Sequence, residues 1–535
     1  MSCVKLTNFG HLTLPIKVLN LLEMNKINIS LLPLGKLIEV NSGTPLKDVL
    51  HEFGVEFPCG GKGTCGSCKV KLLKGELAID AIQQQKLDKL KLSENWRLAC
   101  FCNAEADITL EISQFENIIL ADNSTFDFRP QTGFGVAVDL GTTTIVVQLV
   151  NLENGHVLNS VSDVNPQARF GGDLISRIQS CLDGNFEELQ NLVRSKIDEM
   201  IQSILQKHPV EVSKVVIVGN TVMHHIFSGL PVNTLSFYPF HSPDLGVQEF
   251  IPKDLKWKLP ETAKIEFFPS IGSFVGSDIL AGIAATKMLE SEKYSVLIDL
   301  GTNGEIVVGN SDKIICASTA AGPAFEGAKI SQGMRANTGA ISSVKASPNP
   351  SEGGESGNKN LTGNKVQLNC HVIGNVAAKG ICGSGLIDIL AILLNREQIG
   401  MFGEINSGEE SVPLTGKVSI TQQDIREFQL AKAAIAAGIQ ILLNQLKITY
   451  EEVDKVFIAG GFGNFLNIEN VIRTGLIECE PDKIVKLGNT ALIGAKMFLF
   501  EDESFYQKIL KKTTHINLEG DPNFQDIYID KMMLV

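Results

Sequence analysis

The chain has 535 residues, a net charge of −13, and 44% hydrophobic against 20% charged residues. That length exceeds what one core supports, so several domains are expected. The acidic balance argues against the basic face that a nucleic-acid partner needs, and no apolar run approaches the ~18 residues of a membrane span. The eleven cysteines are an odd number, scattered outside one region without disulfide-like spacing. That pattern implies a reducing, cytoplasmic setting.

Residues 1–25 lack a basic start and a small-residue cleavage site, so they do not read as a signal peptide. They are expected to be either a poorly structured extension or an ordinary N-terminal arm. Residues 26–114 read as one small domain. Two strands are expected at 27–33 and 36–41, then a helix at 44–54 with Thr44 as cap and Gly54 as stop. A cysteine-rich loop follows, then a strand, a polar helix at 81–92 and a closing strand.

The loop reads PCGGKGTCGSC, and WRLAC follows further on. Cys59, Cys65 and Cys68 have C-x5-C-x2-C spacing, with a distant fourth cysteine at Cys100 or Cys102. Four thiolates, a glycine-rich loop and backbone N–H groups aimed at sulfur are what a 2Fe–2S cluster needs. A zinc site is the alternative, but zinc knuckles usually pair two C-x2-C motifs, and only Cys65 with Cys68 makes one here.

Residues 115–133 read as a linker. From 134 onward the sequence duplicates weakly. GVAVDLGTTTIVVQLVN (135–151) and SVLIDLGTNGEIVVGN (295–310) each run strand, Asp-Leu-Gly-Thr turn, strand. KVVIVGNTVMHHIF and KVFIAGGFGNFL each end a strand in a Gly-containing turn. Two similar α/β lobes are expected, at 134–290 and 291–504, followed by a tail at 505–535.

A single such turn is only a tight hairpin. Two in matching contexts suggest a clamp on phosphates, with N–H groups and hydroxyls as donors. Gly141 and Gly301 allow close approach, and Thr142, Thr143, Thr302 and Asn303 lie in the turns. Asp139 and Asp299 can hold Mg²⁺ directly or through water. Glu305 and Glu326 are candidates for Mg²⁺ or water positioning, with surface or capping roles as the alternative. Gly460, Gly461 and Gly463 form a turn that can pack against a nucleoside. NPQARFGGDLISRI (165–178) can order a water, reach a phosphate, or be a solvated helix start; His224 and His225 read as structural. No Gly-x-x-x-x-Gly-Lys motif is present, so the site is not of the Walker type.

The paired turns with the later GGF turn resemble the actin/sugar-kinase/Hsp70 ATPase superfamily. A ferredoxin-like domain fused in front of such an ATPase resembles the reductive activators of corrinoid proteins, over about residues 26–500. VAVDLGTTT, NPQARFGGDLISRI, VGNTVMHH, IDLGTNGEI, GPAFEGA, GICGSGLID and AGGFG all look like motifs of that family. The resemblance implies an α+β β-grasp ferredoxin-like domain, and an α/β two-lobed ATPase with ribonuclease H-like lobes. It implies Cys100 as the fourth cluster ligand, with ATP and Mg²⁺ as further cofactors. It also implies ATP-dependent reduction of Co(II) to Co(I) on a partner corrinoid protein of a methyltransferase system, an electron donor, and a homodimer. Longer relatives carry an additional small domain where this chain has only its linker. An activator of another low-potential enzyme, such as a 2-hydroxyacyl-CoA dehydratase, and a redox sensor that merely binds nucleotide are the alternatives. A plain sugar kinase has no use for a cluster.

Overall fold

The computed structural model describes residues 26–535 apart from 33–35, 113–127, 347–367, 461–462 and the single positions 54, 56, 58, 67, 91, 93 and 302. The extension at 1–25, most of the linker, and the expected roles of Thr302 and Gly461 therefore lie outside the described residues.

The first unit is a sheet of β1 (Lys26–Leu32), β2 (Lys36–Asn41), β3 (Lys69–Lys74), β4 (Trp96–Leu98) and β5 (Ile108–Glu111). Its order is β2-β1-β5-β3-β4, with β1 and β5 parallel and the other pairs antiparallel. Ile27, Ile29 and Leu31 alternate inward along β1, the period-2 pattern of a half-buried strand. Helix α1 (Ala81–Lys89) is capped by Asp80, which accepts from Gln83 N at 2.6 Å. The expected helix at 44–54 is shorter. Thr44 bridges to Ala104 and donates its hydroxyl to Asn41 O (2.7 Å), so only Lys47–Leu50 is α-helical before a 3-10 turn at His51–Phe53.

The sequence duplication is a structural duplication. The first lobe comprises β6 (Phe134–Leu140), β7 (Thr144–Asn151), β8 (Val157–Val164), β9 (Val212–Gly219), β10 (Gln248–Phe250) and β11 (Lys264–Phe267), in the order β8-β7-β6-β9-β11-β10. The second comprises β12 (Tyr294–Leu300), β13 (Gly304–Gly309), β14 (Ile314–Thr319), β15 (Val453–Ala459), β16 (Ile484–Gly488) and β17 (Thr513–His515). Its order, β17-β14-β13-β12-β15-β16, repeats the first lobe's antiparallel meander followed by parallel strands. The central strands are apolar on both faces because helices cover both. On the first lobe, α2 (Leu174–Ser180) and α3 (Phe186–Lys207) lie on one face, where α3 buries Leu189, Val193, Ile197, Ile201 and Ile204.

Two segments sit differently from the expected boundaries. Past α4 (Thr221–Ser228), α5 (Ser277–Thr286) and α6 (Gln422–Leu446), helix α7 (Thr490–Phe500) falls within the span read as the second lobe. It packs on α5, β6 and β9 of the first lobe. All of its residues are buried, Lys496 among them, as a helix apolar on nearly every side requires. A Cβ on Gly494 would lie 2.2 Å from Ala281 O, so glycine sets how closely α7 and α5 approach.

The span 505–535, read as a tail, is integral to the second lobe. β17 pairs in parallel with β14, and Leu518 and Leu534 are buried. The fully buried Lys432 on α6 donates Nζ to Lys531 O (2.7 Å) and to Met533 O. Lys432→Met keeps the stem but leaves both carbonyls unpaired. It is expected to destabilise the chain by about 1–3 kcal/mol, read as a lowered urea midpoint with an unchanged slope.

Candidate functional site

Two centres emerge. In the loop at 59–68, Gly60, Gly61, Gly63 and Gly66 all have φ between +62° and +76°. A Cβ on Gly63 would meet the Phe101 ring at 2.5 Å, so the loop folds tightly against the turn Ala99–Phe101 that carries Cys100. The thiols of Cys59 and Cys65 lie 3.4 Å apart, and those of Cys68 and Cys100 3.3 Å apart. Cys102 takes no part. It is 4% exposed, and its Sγ faces Gln83 Oε1 (3.8 Å) and Leu98 O (3.6 Å) on the core side of the turn.

The electrostatics agree. Burial would raise the Cys59 thiol, but N–H groups of Cys65 and Thr64 and the Thr64 hydroxyl outweigh it and bring it to about 6. Cys100 is lowered by the hydrogen bond from Cys68 against the effect of burial, with help from the Gly63 N–H; Cys68 is raised correspondingly, because that pair retains a proton. Burial pushes Cys102 up to about 11. Among the described residues, no three or more His, Cys, Asp or Glu side chains converge on a single metal ion. Two thiol pairs with N–H donors fit a two-iron, four-thiolate cluster better than the single tetrahedron of zinc.

The second centre is a cavity of about 440 Å³ between the lobes. It is lined by Asp139, Gly141, Thr142 and Thr143 from the first turn, by Asp299, Gly301, Asn303 and Glu305 from the second, and by Gly460. Glu326 also lines it. The turns close with Gly141 N to Thr144 O and Gly301 N to Asn303 O, both 3.0 Å. Gly463 is not in the cleft: it opens the 3-10 turn Gly463–Phe465 and abuts Ile458.

Sequence reasoning passed over three cleft residues. Asp278 enters from the first turn of α5. Asn220 caps α4 and donates to Thr142 Oγ1 (3.0 Å); Asn489 caps α7 and donates to Asp139 Oδ2 (2.7 Å). The available signal was a repeated Gly-Asn-Thr, at 219–221 and 488–490, each opening a helix.

Of the two arginines in the 165–178 motif, Arg169 is partly exposed and pairs with Glu188, and neither lines the nucleotide cleft. Arg177 is fully buried and donates to Thr142 O, Gly171 O (3.0 Å) and Gln167 Oε1 (3.2 Å). His224 is buried edge-on to Phe267, and His225 bonds Pro231 O and Ser242; both are packing residues.

Four carboxyls share the cleft. Burial pushes Asp139 up to about 6, with Asn489 opposing it. Asp278 and Asp299 rise to about 7, through burial and then through neighbouring carboxylates. Glu305 is held well above the usual carboxylate range, first by burial and then by Asp278 and Asp299. Such a cluster attracts a cation, and the turns' N–H groups and hydroxyls attract phosphate oxygens.

The model of the 2Fe–2S iron–sulfur cluster binding domain matches residues 30–105. The RACo middle region matches 134–291, which is the first lobe, and the C-terminal ASKHA domain of RACo matches 293–535. The corrinoid activation enzyme RamQ of Eubacterium limosum is 33% identical over 78% of this chain and 74% of its own. The chain belongs to the family of reductive activators of corrinoid proteins. A Methanosarcina barkeri reductase of the Co(II) methylated amine-specific corrinoid protein is 27% identical over 74% of this chain and 76% of its own. The solved reductive activator for a corrinoid iron–sulfur protein superposes with a TM-score of 0.65 at 27% identity, covering 95% of this chain and 98% of that one. The family's ferredoxin-type domain carries a 2Fe–2S cluster, and its ASKHA domain binds nucleotide.

Cys100→Ser is expected to lose the cluster's visible absorbance and its iron, whereas Cys102→Ser keeps both. A carboxyl whose folded value of about 7 exceeds the unfolded ~3.9 binds more protons when folded, so its cost grows from about pH 4 and is complete above about pH 7. Asp278→Asn is therefore expected to raise the Tm of the nucleotide-free protein at pH 8, with a smaller gain at pH 6, measured by scanning calorimetry.

Proposed function

We propose that the protein is an ATP-dependent reductive activator that returns the cobalt of a partner corrinoid protein from Co(II) to Co(I), supporting methyl transfer. One observation carries the reading. A four-thiol centre and a two-lobed nucleotide cleft open onto a shared space. A cavity of about 750 Å³ is lined by Cys65, the exposed member of the four thiols, and by Thr143, Asn303, Glu326 and Arg335, which also line the cleft.

When bound, the 2Fe–2S cluster supplies one-electron transfer. Each ~59 mV of uphill potential for one electron corresponds to ~1.4 kcal/mol, and ATP hydrolysis to ADP and phosphate supplies the difference. In this proposal the N–H groups at Thr142, Thr143, Thr302 and Asn303 hold the phosphates, while Gly141 and Gly301 close the turns and let the phosphates approach the backbone. Asp139 and Asp299 hold Mg²⁺, directly or through water, with Asp278 beside them. Glu305 orients the attacking water, and Gly460 backs the nucleoside. Cys59, Cys65, Cys68 and Cys100 hold the cluster. The scattered free thiols support a reducing, cytoplasmic setting with a separate electron donor, and no described helix is long and apolar enough to cross a membrane. A homodimer belongs to the same proposal and is read by sedimentation.

Purified protein with its cluster, mixed with a Co(II) corrinoid protein and a reductant, is expected to form Co(I) only with Mg-ATP, followed by the corrinoid's absorbance. Asp299→Ala is expected to abolish the ATP-driven formation of Co(I) while the cluster still accepts electrons. Cobalt reduction at the same rate without ATP would overturn the proposal. An iron content and spectrum of a 4Fe–4S centre shared by two chains would favour the dehydratase-type activator instead.

A further inference from the structure

One short stretch of chain holds the carbonyls of the first phosphate turn. Asn165 Nδ2 donates to Gly141 O (2.9 Å), the Arg177 guanidinium to Thr142 O, and Asn165 N to Thr143 O (2.9 Å). These carbonyls are consecutive, so the turn cannot tilt its peptide planes without moving the stretch. The stretch is itself stiff. Gln167 N donates to Asn165 Oδ1 (3.0 Å), Gln167 Oε1 accepts from Arg177 (3.2 Å), and Arg177 Nε donates to Gly171 O (3.0 Å). Asn165, Gln167 and Arg177 are fully buried. Breaking these bonds would leave polar groups unpaired in a low dielectric.

The far end of the same stretch touches the thiol loop. A Cβ on Gly60 would lie 2.5 Å from Phe170 O, so the two backbones are in direct contact immediately after Cys59. Beside this contact Lys62 pairs with Asp183 at 3.4 Å. A continuous, well-bonded path therefore runs from the phosphate turn to the loop carrying the first three thiols.

We propose that residues 165–171, clamped by Arg177, are a relay coupling phosphate occupancy of the first turn to the backbone of the cluster loop. Arg177 is a positioning residue: none of its bonds goes to a cluster thiol, and it acts on the phosphate site only through the Thr142 carbonyl. A phosphate on the N–H groups of the turn fixes the orientation of the facing carbonyls, and an empty turn does not. That difference is what the relay transmits. Because such coupling is reciprocal, a change in the cluster loop alters nucleotide affinity in turn. The inference rests on the cluster and nucleotide readings above but needs no corrinoid partner.

The test is amide hydrogen exchange at 59–68 on the full chain with its cluster, with and without a saturating non-hydrolysable Mg-ATP analogue. In the natural chain the analogue is expected to slow exchange in the loop severalfold. Arg177→Lys keeps the charge but loses the planar fork. Gly60→Ala forces the loop off Phe170, and Lys62→Glu, at an exposed position, breaks the flanking pair without endangering the fold. All three are expected to bind the analogue with a weakened or absent loop response. Full loop protection in Gly60→Ala and Lys62→Glu, or a natural chain that binds the analogue with no change at 59–68, would overturn the relay alone. A natural chain that binds no nucleotide would overturn the function as well.

Discussion

Four carboxyl groups, Asp139, Asp278, Asp299 and Glu305, meet between two lobes, each raised by burial and three of them further by the charges of their neighbours. Such crowding opposes the closed arrangement unless something outweighs it. The counterweight is apolar. Helix α7 is buried on every side between the first lobe's α5 and its central strands, with Gly494 against the Ala281 carbonyl. The same apolar cluster takes in Leu297, Val307 and Phe457 of the second lobe and so joins the two lobes. A cation with its phosphates relieves the repulsion that the empty cleft holds. Function and stability oppose each other here, as is common at sites built for charged ligands.

The thiol centre follows a different logic. Its loop adopts positive φ at four glycines, which lets backbone N–H groups approach Cys59 and Cys100. Cys59 and Cys100 are prepared for deprotonation by hydrogen bonds rather than by a basic side chain. Cys102 shows the contrast: two residues from Cys100, it points into the core and is held as a neutral thiol by burial. The loop also leans on the first lobe at Phe170, so the two centres share a scaffold as well as a cavity.

Much of this was legible in the chain. The Asp-Leu-Gly-Thr pair and the apolar strands around it announced two like lobes, because local hydrophobic pattern and turn chemistry repeat wherever the same supersecondary unit repeats. The helix at Phe186–Lys207 was readable from its 3.6-residue period. The thiol set was readable from spacing. Less was legible where a residue's role comes from a distant partner. Asp278 looks like an ordinary helix-start acid until α5 brings it to Asp299. Gly463 reads as part of a nucleoside turn, yet the chain bends it toward Ile458. The polar span at 505–535 has no motif, but its strand completes a sheet edge and its end is gripped by Lys432.

The sequence by itself determined the chemistry: which thiols, which phosphate turns, and the two-lobed class. These depend on residue type and short spacing, which the chain carries locally. Only the tertiary structure decided that α7 serves the first lobe and that Cys102 faces away. It also decided that Arg177 is a buried clamp on the phosphate turn rather than a ligand. Each of these is a matter of which surfaces meet across more than thirty residues or of which side of a turn faces the core, and burial, not local pattern, sets that outcome.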